Sequence, residues 1–341
     1  MGIRSTVGSV LESVVGRERT NRIRLAERKA RNGLAKRLAM EEPKKPATTK
    51  QAPTKQAPKK QAGKPSAPPA AGKPRPAVKP SRWQPPDPFV PHPEPRMTRH
   101  ELLEGLHKKT RPRTYLEIGI RTGRSMVLSR CRSVGVDPLF KIDNPIHCDV
   151  QLIKATSDDF FAGDEPLAHF NGVPVDLAFI DGMHLSDFAL RDFIHIEPFM
   201  ADTGVVVLDD VLPRNGLEAA RDRKTEPWTG DVYKVVEILR RRRPDLVVLI
   251  VNTAPTGTAL VLGVDQASTI LKDAYAEEEP YLLQLDPQTP PQDYLDRSIA
   301  VEPDALLESR VWEQLVDKRE SGSTADLNDL WNELRRLTRN S

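Results

Sequence analysis

The feature that most constrains the fold is a regular alternation of short apolar runs and longer amphipathic segments between residues 97 and 265. The last two apolar runs have only a turn at Pro255–Gly257 between them, which predicts an antiparallel strand at the edge of the sheet. Strands that alternate with helices are typical of a parallel sheet covered on both faces. We therefore expect a Rossmann-like α/β fold with a seven-stranded, mostly parallel sheet, an antiparallel edge strand and helices on both faces. The seven runs are TYLEIGI, SVGVDP, LIKATS, VDLAFID, GVVVLDDV, LVVLIV and TALVLGV.

Amphipathic segments predict the helices and the limits of the folded domain. The leucines of MTRHELLEGLHKKT have helical spacing, and further helices are expected from Gly123 to about Arg130, from about Leu185 to Phe199, and over DVYKVVEILRRR. The sequence after residue 265 is acidic and predicts helices at 303–318 and 324–338. We expect a catalytic domain at 96–265 and a partly helical C-terminal extension at 266–341.

The overall net charge of +3 hides a division of the chain into two parts. Residues 1–95 hold 21 basic and 7 acidic residues, a net charge of +14, whereas residues 96–341 hold 30 basic and 41 acidic residues, a net charge of −11. Residues 1–42 predict a basic helical segment, and the Lys-, Pro- and Ala-rich residues 43–95 predict a disordered linker that lacks the large apolar side chains of a core. Such an extension predicts weak, non-specific contact with nucleic acid or an anionic membrane surface.

The stretch LEIGIRTGRS contains the first candidate binding loop. In an open parallel sheet, ligands bind beyond the carboxyl ends of the strands. Gly119 lets the backbone approach a ligand closely, and Gly123 leaves the first N–H groups of the expected helix accessible. Glu117, at the end of the strand, would repel a pyrophosphate and attract a cationic ligand group. The spacing differs from the dinucleotide fingerprint, because Ile120 and Arg121 follow Gly119.

The order Glu117-x-Gly119-x-x-x-Gly123 resembles the first motif of class I S-adenosylmethionine-dependent methyltransferases. The resemblance implies that Asp137, at the end of the second strand, binds the ribose hydroxyls of the cofactor. It also implies that Ser157 and Asp158 end the third strand and contact the adenine. The resemblance covers roughly residues 97–265 and makes S-adenosylmethionine the expected cofactor.

A closer resemblance is to small-molecule O-methyltransferases of the macrolide-sugar type, which have F-I-D-G-x-H after the fourth strand and paired acids after the fifth. Here those positions are Asp181, Gly182, His184, Asp209 and Asp210. In metal-dependent members, carboxylates at these places bind Mg²⁺, which prefers oxygen ligands. The resemblance thus implies Asp181, Asp209 and Asp210 as metal ligands, with Asp181 and His184 as catalytic residues and His184 as a candidate general base.

Structural alternatives stay open for several of these residues. Asp158 is also a candidate helix cap, and His184 is a candidate cap for the helix expected at Leu185. Asp209 and Asp210 are also candidate loop acids. Trp228 and Tyr233 are candidates for a wall of the acceptor pocket, while Gly230 and Asp231 resemble a helix start with its cap.

The predicted function is methyl transfer from S-adenosylmethionine to a hydroxyl of a small molecule or glycan. Two alternatives are a catalytically inert methyltransferase-fold scaffold and a nucleic-acid methyltransferase tethered by its basic tail. The chain has no apolar run of the roughly 20 residues that a membrane span needs, and its two cysteines lack metal-ligand spacing. A cytoplasmic location with free thiols is the expectation.

Overall fold

The computed structural model describes residues 88–322 and 327–337. The basic helical segment predicted for residues 1–42 and most of the linker predicted for residues 43–95 lie outside this range, so both stay predictions, as does their anionic partner. Within the described part of the chain, no helix combines the length and apolar character needed to cross a bilayer. Both cysteines in this part are free thiols.

Among the described residues, seven strands form the main sheet, in the order β4-β3-β2-β5-β6-β9-β7, and two short strands pair separately as β1-β8. The antiparallel strand β9 lies between β6 and β7, one position inside the edge, because the hairpin returns between them. The fold class is confirmed, with this shift of the antiparallel strand. The strands are β1 (Met97–Thr98), β2 (Thr114–Ile118), β3 (Arg132–Val136), β4 (Val150–Ile153), β5 (Val175–Ile180), β6 (Met200–Asp209), β7 (Val247–Val251), β8 (Thr253–Ala254) and β9 (Thr258–Leu262).

Helices cover both faces of the sheet among the described residues. The predicted helix at 303–318 is two helices, interrupted at Ser309 and Arg310. The helices are α1 (Arg99–Thr110), α2 (Ser157–Phe161), α3 (Ser186–Ile196), α4 (Tyr233–Arg242), α5 (Ile270–Leu282), α6 (Gln292–Leu295), α7 (Pro303–Glu308), α8 (Val311–Ser321) and α9 (Asn328–Leu337). Single turns of 3₁₀ helix occur at Met126–Leu128, Ala168–Phe170 and Glu197–Phe199.

The side chains of each strand point alternately to the two faces of the sheet, so one core forms on each face. In β5, Ala178 and Ile180 pack in the core that contains α3, α4 and α5. Leu177 and Phe179 pack in the opposite core, which contains α1, α7, α8 and α9. Successive strand side chains point to opposite faces, so a central strand buried on both sides is apolar throughout.

The connection from β2 to β3 differs from the sequence prediction. No α-helix begins at Gly123; the segment contains only the 3₁₀ turn Met126–Leu128. Gly123 donates its N–H to Ile120 O at 2.8 Å instead of offering it at a helix start. The segment is short, and the Ser125 hydroxyl is engaged with Glu117. These constraints leave space for one turn before β3 begins.

The helices that follow residue 265 share the cores of the sheet. Leu271 and Leu282 of α5 join the first core, and Trp312 and Trp331 join the second. The indole N–H of Trp312 donates to Leu306 O at 2.7 Å, which satisfies its polar atom inside the core. The division into domains at residue 265 stays a prediction, and side chains from both sides of residue 265 share the two cores.

Replacing Trp312 by Ala is expected to lower the free energy of unfolding by about 3–5 kcal/mol, because it removes a fully buried aromatic side chain and leaves a cavity. Chemical denaturation of the full chain measures this value. The control is Leu285→Ala, since that side chain is 84% exposed and its loss should change stability by less than about 0.5 kcal/mol. Equal effects of the two substitutions would contradict the assignment of α8 to the core.

Candidate active site

The carboxyl edge of the sheet brings together residues that are far apart in sequence. Gly119 follows β2, Asp137 follows β3 and Asp181 follows β5, while Asp209 ends β6 and Asp210 comes next. β2, β3, β5 and β6 are mutually parallel, so these positions share one edge. That edge is where open α/β sheets bind their ligands.

Gly119 is required by a close backbone contact. Its φ of +92° lies in the left-handed region, and a Cβ at this position would lie 1.9 Å from Asp181 O. Its N–H donates to Val136 O at 2.9 Å. The turn after β2 therefore packs directly on the turn after β5, with no room for a side chain between them.

Asp137 holds the glycine loop in place. Its Oδ2 accepts the N–H of Arg121 at 2.8 Å, and its Oδ1 accepts the N–H of Leu139 at 2.6 Å. Arg121 has a φ of 48° and Gly123 a φ of 81°, so the loop turns sharply at both positions. Each carboxylate oxygen keeps a second lone-pair direction, which leaves the half-buried Asp137 able to accept further hydrogen bonds.

Glu117 lies inside the protein, beneath this loop. It is fully buried and faces the same side of β2 as Tyr115, whose hydroxyl donates to Oε2 at 3.0 Å. The Ser125 hydroxyl donates to Oε1 at 2.7 Å. Burial raises the pKa of Glu117 to about 8, although these two hydrogen bonds oppose the shift. Glu117 thus supports the loop through Oε1, which binds Ser125, while Tyr115 holds its Oε2.

Ser157 and Asp158 do not end a strand, because β4 stops at Ile153 and both residues lie in the first turn of α2. The cap of that helix is Thr156, whose hydroxyl accepts the N–H of Asp159, so Asp158 is not a cap. Both Asp158 oxygens accept from Arg191, at 3.2 and 3.0 Å. A bidentate pair of this kind fixes the carboxylate at this end of the edge.

Asp192 is a candidate that the sequence analysis missed. It lies on the buried side of α3, and its Oδ1 has no hydrogen-bond partner among the described residues. Burial raises the pKa of Asp192 to about 7, and a hydrogen bond from Ser157 partly opposes that shift. A carboxylate on the apolar face of a predicted helix, near Phe193 and Ile196, is the sequence signal that marks it.

Asp181, His184 and Asp210 form a compact acid–histidine cluster. His184 Nε2 lies 3.3 Å from Asp181 Oδ1, and its Nδ1 lies 2.8 Å from Asp210 Oδ2. Thr256, in the hairpin between β7 and β9, donates its hydroxyl to Asp210 Oδ1. His184 is thereby held between two carboxylates by both ring nitrogens.

Asp209 has a different partner, which the sequence analysis also missed. Arg99 Nη1 lies 2.6 Å from Asp209 Oδ2, and Arg99 Nη2 lies 3.8 Å from Asp181 Oδ2. The contact between Arg99 and Asp209 is an ion pair and not a hydrogen bond, because Asp209 Oδ2 has no hydrogen-bond partner among the described residues. No sequence motif marks Arg99, because the pairing of β1 with β8 brings it to this edge.

Burial and charge shift the pKa values in this cluster in opposite directions. Burial, together with repulsion from Asp210 and Asp181, raises the pKa of Asp209 well above its usual range. Burial also acts to raise the pKa of Asp210, but the attraction of His184 outweighs it and the pKa is lowered. Burial acts to lower the pKa of His184, yet Asp210 and Asp181 raise it well above the ordinary value. The two carboxylates therefore favour the protonated form of His184.

Backbone geometry and an aromatic ring fix the orientation of His184. His184 and Asp210 have φ values of 55° and 61°, which non-glycine residues adopt at a cost and usually at functional sites. The Trp228 ring stacks on the imidazole, with centroids 5.3 Å apart and an interplanar angle of 4°. Trp228 therefore lies beside the acid–histidine cluster, and its role as a wall of the acceptor pocket stays a prediction. Gly230 is tied to the same place, since a Cβ there would lie 1.7 Å from His184 O.

Tyr233 and Asp231 have other roles than those considered from the sequence. Tyr233 is buried in the first core and is not a pocket wall. Asp231 does not cap the helix that follows it; it accepts the N–H and hydroxyl of Ser186, at 2.8 and 3.0 Å, at the start of α3. It also pairs with the fully buried Lys234 at 3.0 Å. The segment after β6 is thus fastened to α3.

The predicted magnesium ligands divide into two groups. Asp181 and Asp210 each offer a ligand atom within 4.8 Å of the other and of a nitrogen of His184, a set able to hold a metal ion. Asp209 is instead paired with Arg99. Because the set contains an imidazole nitrogen, its chemistry fits Mn²⁺ or Zn²⁺ better than the all-oxygen preference of Mg²⁺.

The described residues form a Rossmann-like sheet whose carboxyl edge holds both the glycine loop, fixed by Asp137, and the acid–histidine cluster. Residues 116–211 match the family described as "Methyltransferase domain". That segment runs from β2 to the residue after the paired acids, so it contains the loop and the cluster.

Comparisons with whole proteins add only general similarity. No curated protein sequence matches the chain. Among solved structures, the O-methyltransferase TomG from Streptomyces achromogenes, involved in tomaymycin synthesis and bound to SAM, is 21% identical, covers 49% of this chain and 79% of its own, and gives a TM-score of 0.37. The SAH-bound methyltransferase PaMTH1 from Podospora anserina is 16% identical, covers 49% of this chain and 78% of its own, and gives a TM-score of 0.34. An O-methyltransferase from Bacillus cereus in complex with SAH is 15% identical, covers 48% of this chain and 80% of its own, and gives a TM-score of 0.35. Values this low support no conclusion about activity or acceptor.

Substituting Gly119 by Ala is expected to destabilise the protein and to disrupt the site, because the new Cβ would overlap Asp181 O. Gly172→Ala is the matched control: its φ is also positive, at +77°, but no atom lies within 4 Å of its Cβ position. Thermal melting of both variants measures the difference. Gly119→Ala should lower the melting temperature by several degrees more than Gly172→Ala, and equal shifts would show that the Gly119–Asp181 contact is not tight.

Glu117 should make stability depend on pH. Because its pKa is raised in the folded state, its contribution is fully present below the unfolded pKa near 4.5 and is lost as the pH rises through about 8. Glu117→Gln keeps the shape and removes the titration, so the variant should lose less stability than wild type between pH 5 and pH 8.5. Urea unfolding at the two pH values tests this, and parallel losses in both proteins would refute the buried, neutral carboxyl.

Proposed function

We propose that this protein transfers the methyl group of S-adenosylmethionine to a hydroxyl of a small molecule or sugar. The observation that carries the proposal is the contact between Gly119 and Asp181, because it joins the glycine loop to the acid–histidine cluster. A cofactor held by the loop would place its sulfonium beside the cluster, where an acceptor hydroxyl meets it. The cofactor role rests on the family match of residues 116–211 and on the loop geometry.

The cofactor would lie along the edge from β5 to β4. Gly119 and Gly123 would approach it with backbone atoms, and Asp137 would accept hydrogen bonds from the ribose hydroxyls with its remaining lone pairs. Glu117 would act indirectly, through the Ser125 contact that supports the loop. Ser157 and Asp158, with the nearby Asp192, would form the adenine end of the site.

Chemistry at the cluster would be a displacement in which the acceptor oxygen attacks the methyl carbon and the carbon–sulfur bond breaks. Positioning supplies most of the rate, since the sulfonium loses its charge in the transition state. We assign the proton of the hydroxyl to Asp181, whose side chain is 18% exposed, whereas Asp209 and Asp210 are 2% and 6% exposed. His184, as a cation between two acids, would orient Asp181 rather than act as the base itself.

A divalent cation, where one binds, would be held by Asp181, Asp210 and the imidazole of His184 after loss of its proton, and it would polarise an acceptor oxygen as a Lewis acid. Trp228, stacked on His184, would form one wall of the acceptor pocket. The identity of the acceptor, the cytoplasmic location and the anionic partner of the basic extension stay predictions.

Calorimetry of the full chain with S-adenosylhomocysteine tests the cofactor site. Wild type should bind, and Asp137→Asn should bind at least tenfold more weakly, because the substitution disturbs both the loop and the ribose contacts. Asp149→Asn is the matched control, since this exposed aspartate precedes β4, at the opposite edge of the sheet.

Absence of binding by wild type at millimolar ligand would overturn the proposal. Tight binding without transfer of a labelled methyl group to any hydroxylated acceptor of a broad panel would favour the inert-scaffold alternative instead. The same assay with nucleic acid as the acceptor tests the remaining alternative, a nucleic-acid methyltransferase.

A further inference from the structure

Arg99 occupies an unusual position for a basic residue. It is the first residue of α1, and cations at a helix N-terminus are disfavoured by the helix dipole. The helix start is fixed by a capping box, in which Thr98 Oγ1 accepts the N–H of Glu101 at 3.2 Å and the Glu101 carboxylate accepts the N–H of Thr98 at 2.7 Å. This locked start aims the Arg99 side chain at the acid cluster, so an opposing attraction must hold it there.

That attraction comes from the carboxylates at the ends of β5 and β6. Arg99 lies 2.6 Å from Asp209 and 3.8 Å from Asp181, and Asp209 is buried. An exposed ion pair contributes little, but loss of one partner of a buried pair leaves a charge without compensation. Arg99 is therefore part of the charge balance of the pocket and not a surface contact.

The position of Arg99 limits what else this pocket can hold. Its guanidinium contacts Asp209 and Asp181, and Asp181 is also one of the three residues, with His184 and Asp210, that offer ligand atoms to a metal ion. A divalent cation held by that set would lie close to the guanidinium, and two cations repel each other at short distance. Removal of Arg99 would end this repulsion and leave the buried Asp209 carboxyl without its cation. The guanidinium and a divalent metal are thus alternative occupants of one pocket.

We propose that Arg99 is the resident cation of this pocket and competes with divalent metal for the carboxylates of Asp209 and Asp181. Its guanidinium does for these acids what a metal ion would do, so the arrangement of the acceptor site does not require a metal. This inference rests on the proposed function and names the cation of its site. The experiment that tests it measures metal binding and not methyl transfer.

Titration of the full chain with Mn²⁺, followed by electron paramagnetic resonance of the free ion, tests the competition. Wild type should bind Mn²⁺ weakly, and Arg99→Met should bind it at least tenfold more tightly, because Asp209 and Asp181 then lack the guanidinium. Arg99→Lys keeps the charge and should stay as weak as wild type. Arg96→Met, a change at an exposed arginine just before β1, is the matched control and should not alter Mn²⁺ binding.

Equal Mn²⁺ affinity of wild type and Arg99→Met, whether tight or weak, would overturn the proposal. Tight binding by Arg99→Lys would overturn it as well, because the charge of residue 99 would then not be the cause. Melting curves confirm that each variant folds, and Arg99→Gln replaces Arg99→Met if the latter does not. Binding of S-adenosylhomocysteine, measured on the same samples, separates a failure of the proposed function from a failure of this inference.

Discussion

The rest of the site depends on one constraint: the mutual repulsion of three carboxylates at one end of the sheet must be offset. Asp181, Asp209 and Asp210 come together because β5 and β6 are neighbouring parallel strands. Such a cluster is unstable unless cations or hydrogen-bond donors lie among its members. Arg99, His184 and Thr256 meet that need, and each arrives from a different part of the chain.

The elements that deliver these partners explain features that otherwise look incidental. The short β1–β8 pair anchors Arg99 at the start of α1, and the hairpin between β7 and β9 delivers Thr256. The segment after β6 is fastened to α3 through Asp231, and from there Trp228 stacks on His184. Left-handed backbone at His184 and Asp210 is maintained because these contacts hold both residues.

The sequence predicted those elements whose structure follows from the pattern of a few neighbouring residues. It did not predict segments whose side chains bind to partners far away in the chain. The strands were predictable, since runs such as VDLAFI are buried on both faces. The helix expected after Gly123 does not form, because Gly123 and Ser125 are engaged in the turn and with Glu117. Asp231 stands where a cap of α4 is expected, but it accepts hydrogen bonds from Ser186 at the start of α3. The sequence around Asp231 does not contain the information that α3 packs beside it.

By itself the sequence determined the order of strands and helices, the need for glycine at residue 119 and the presence of acids after β3, β5 and β6. These follow from periodicity and from the steric freedom of glycine, which act over a few residues. The tertiary structure alone decided which cations lie near the acids, that Glu117 is buried, and that Asp192 lies buried near Gly182. Coulomb and desolvation energies depend on distance and burial, and those are set only when segments far apart in sequence pack together.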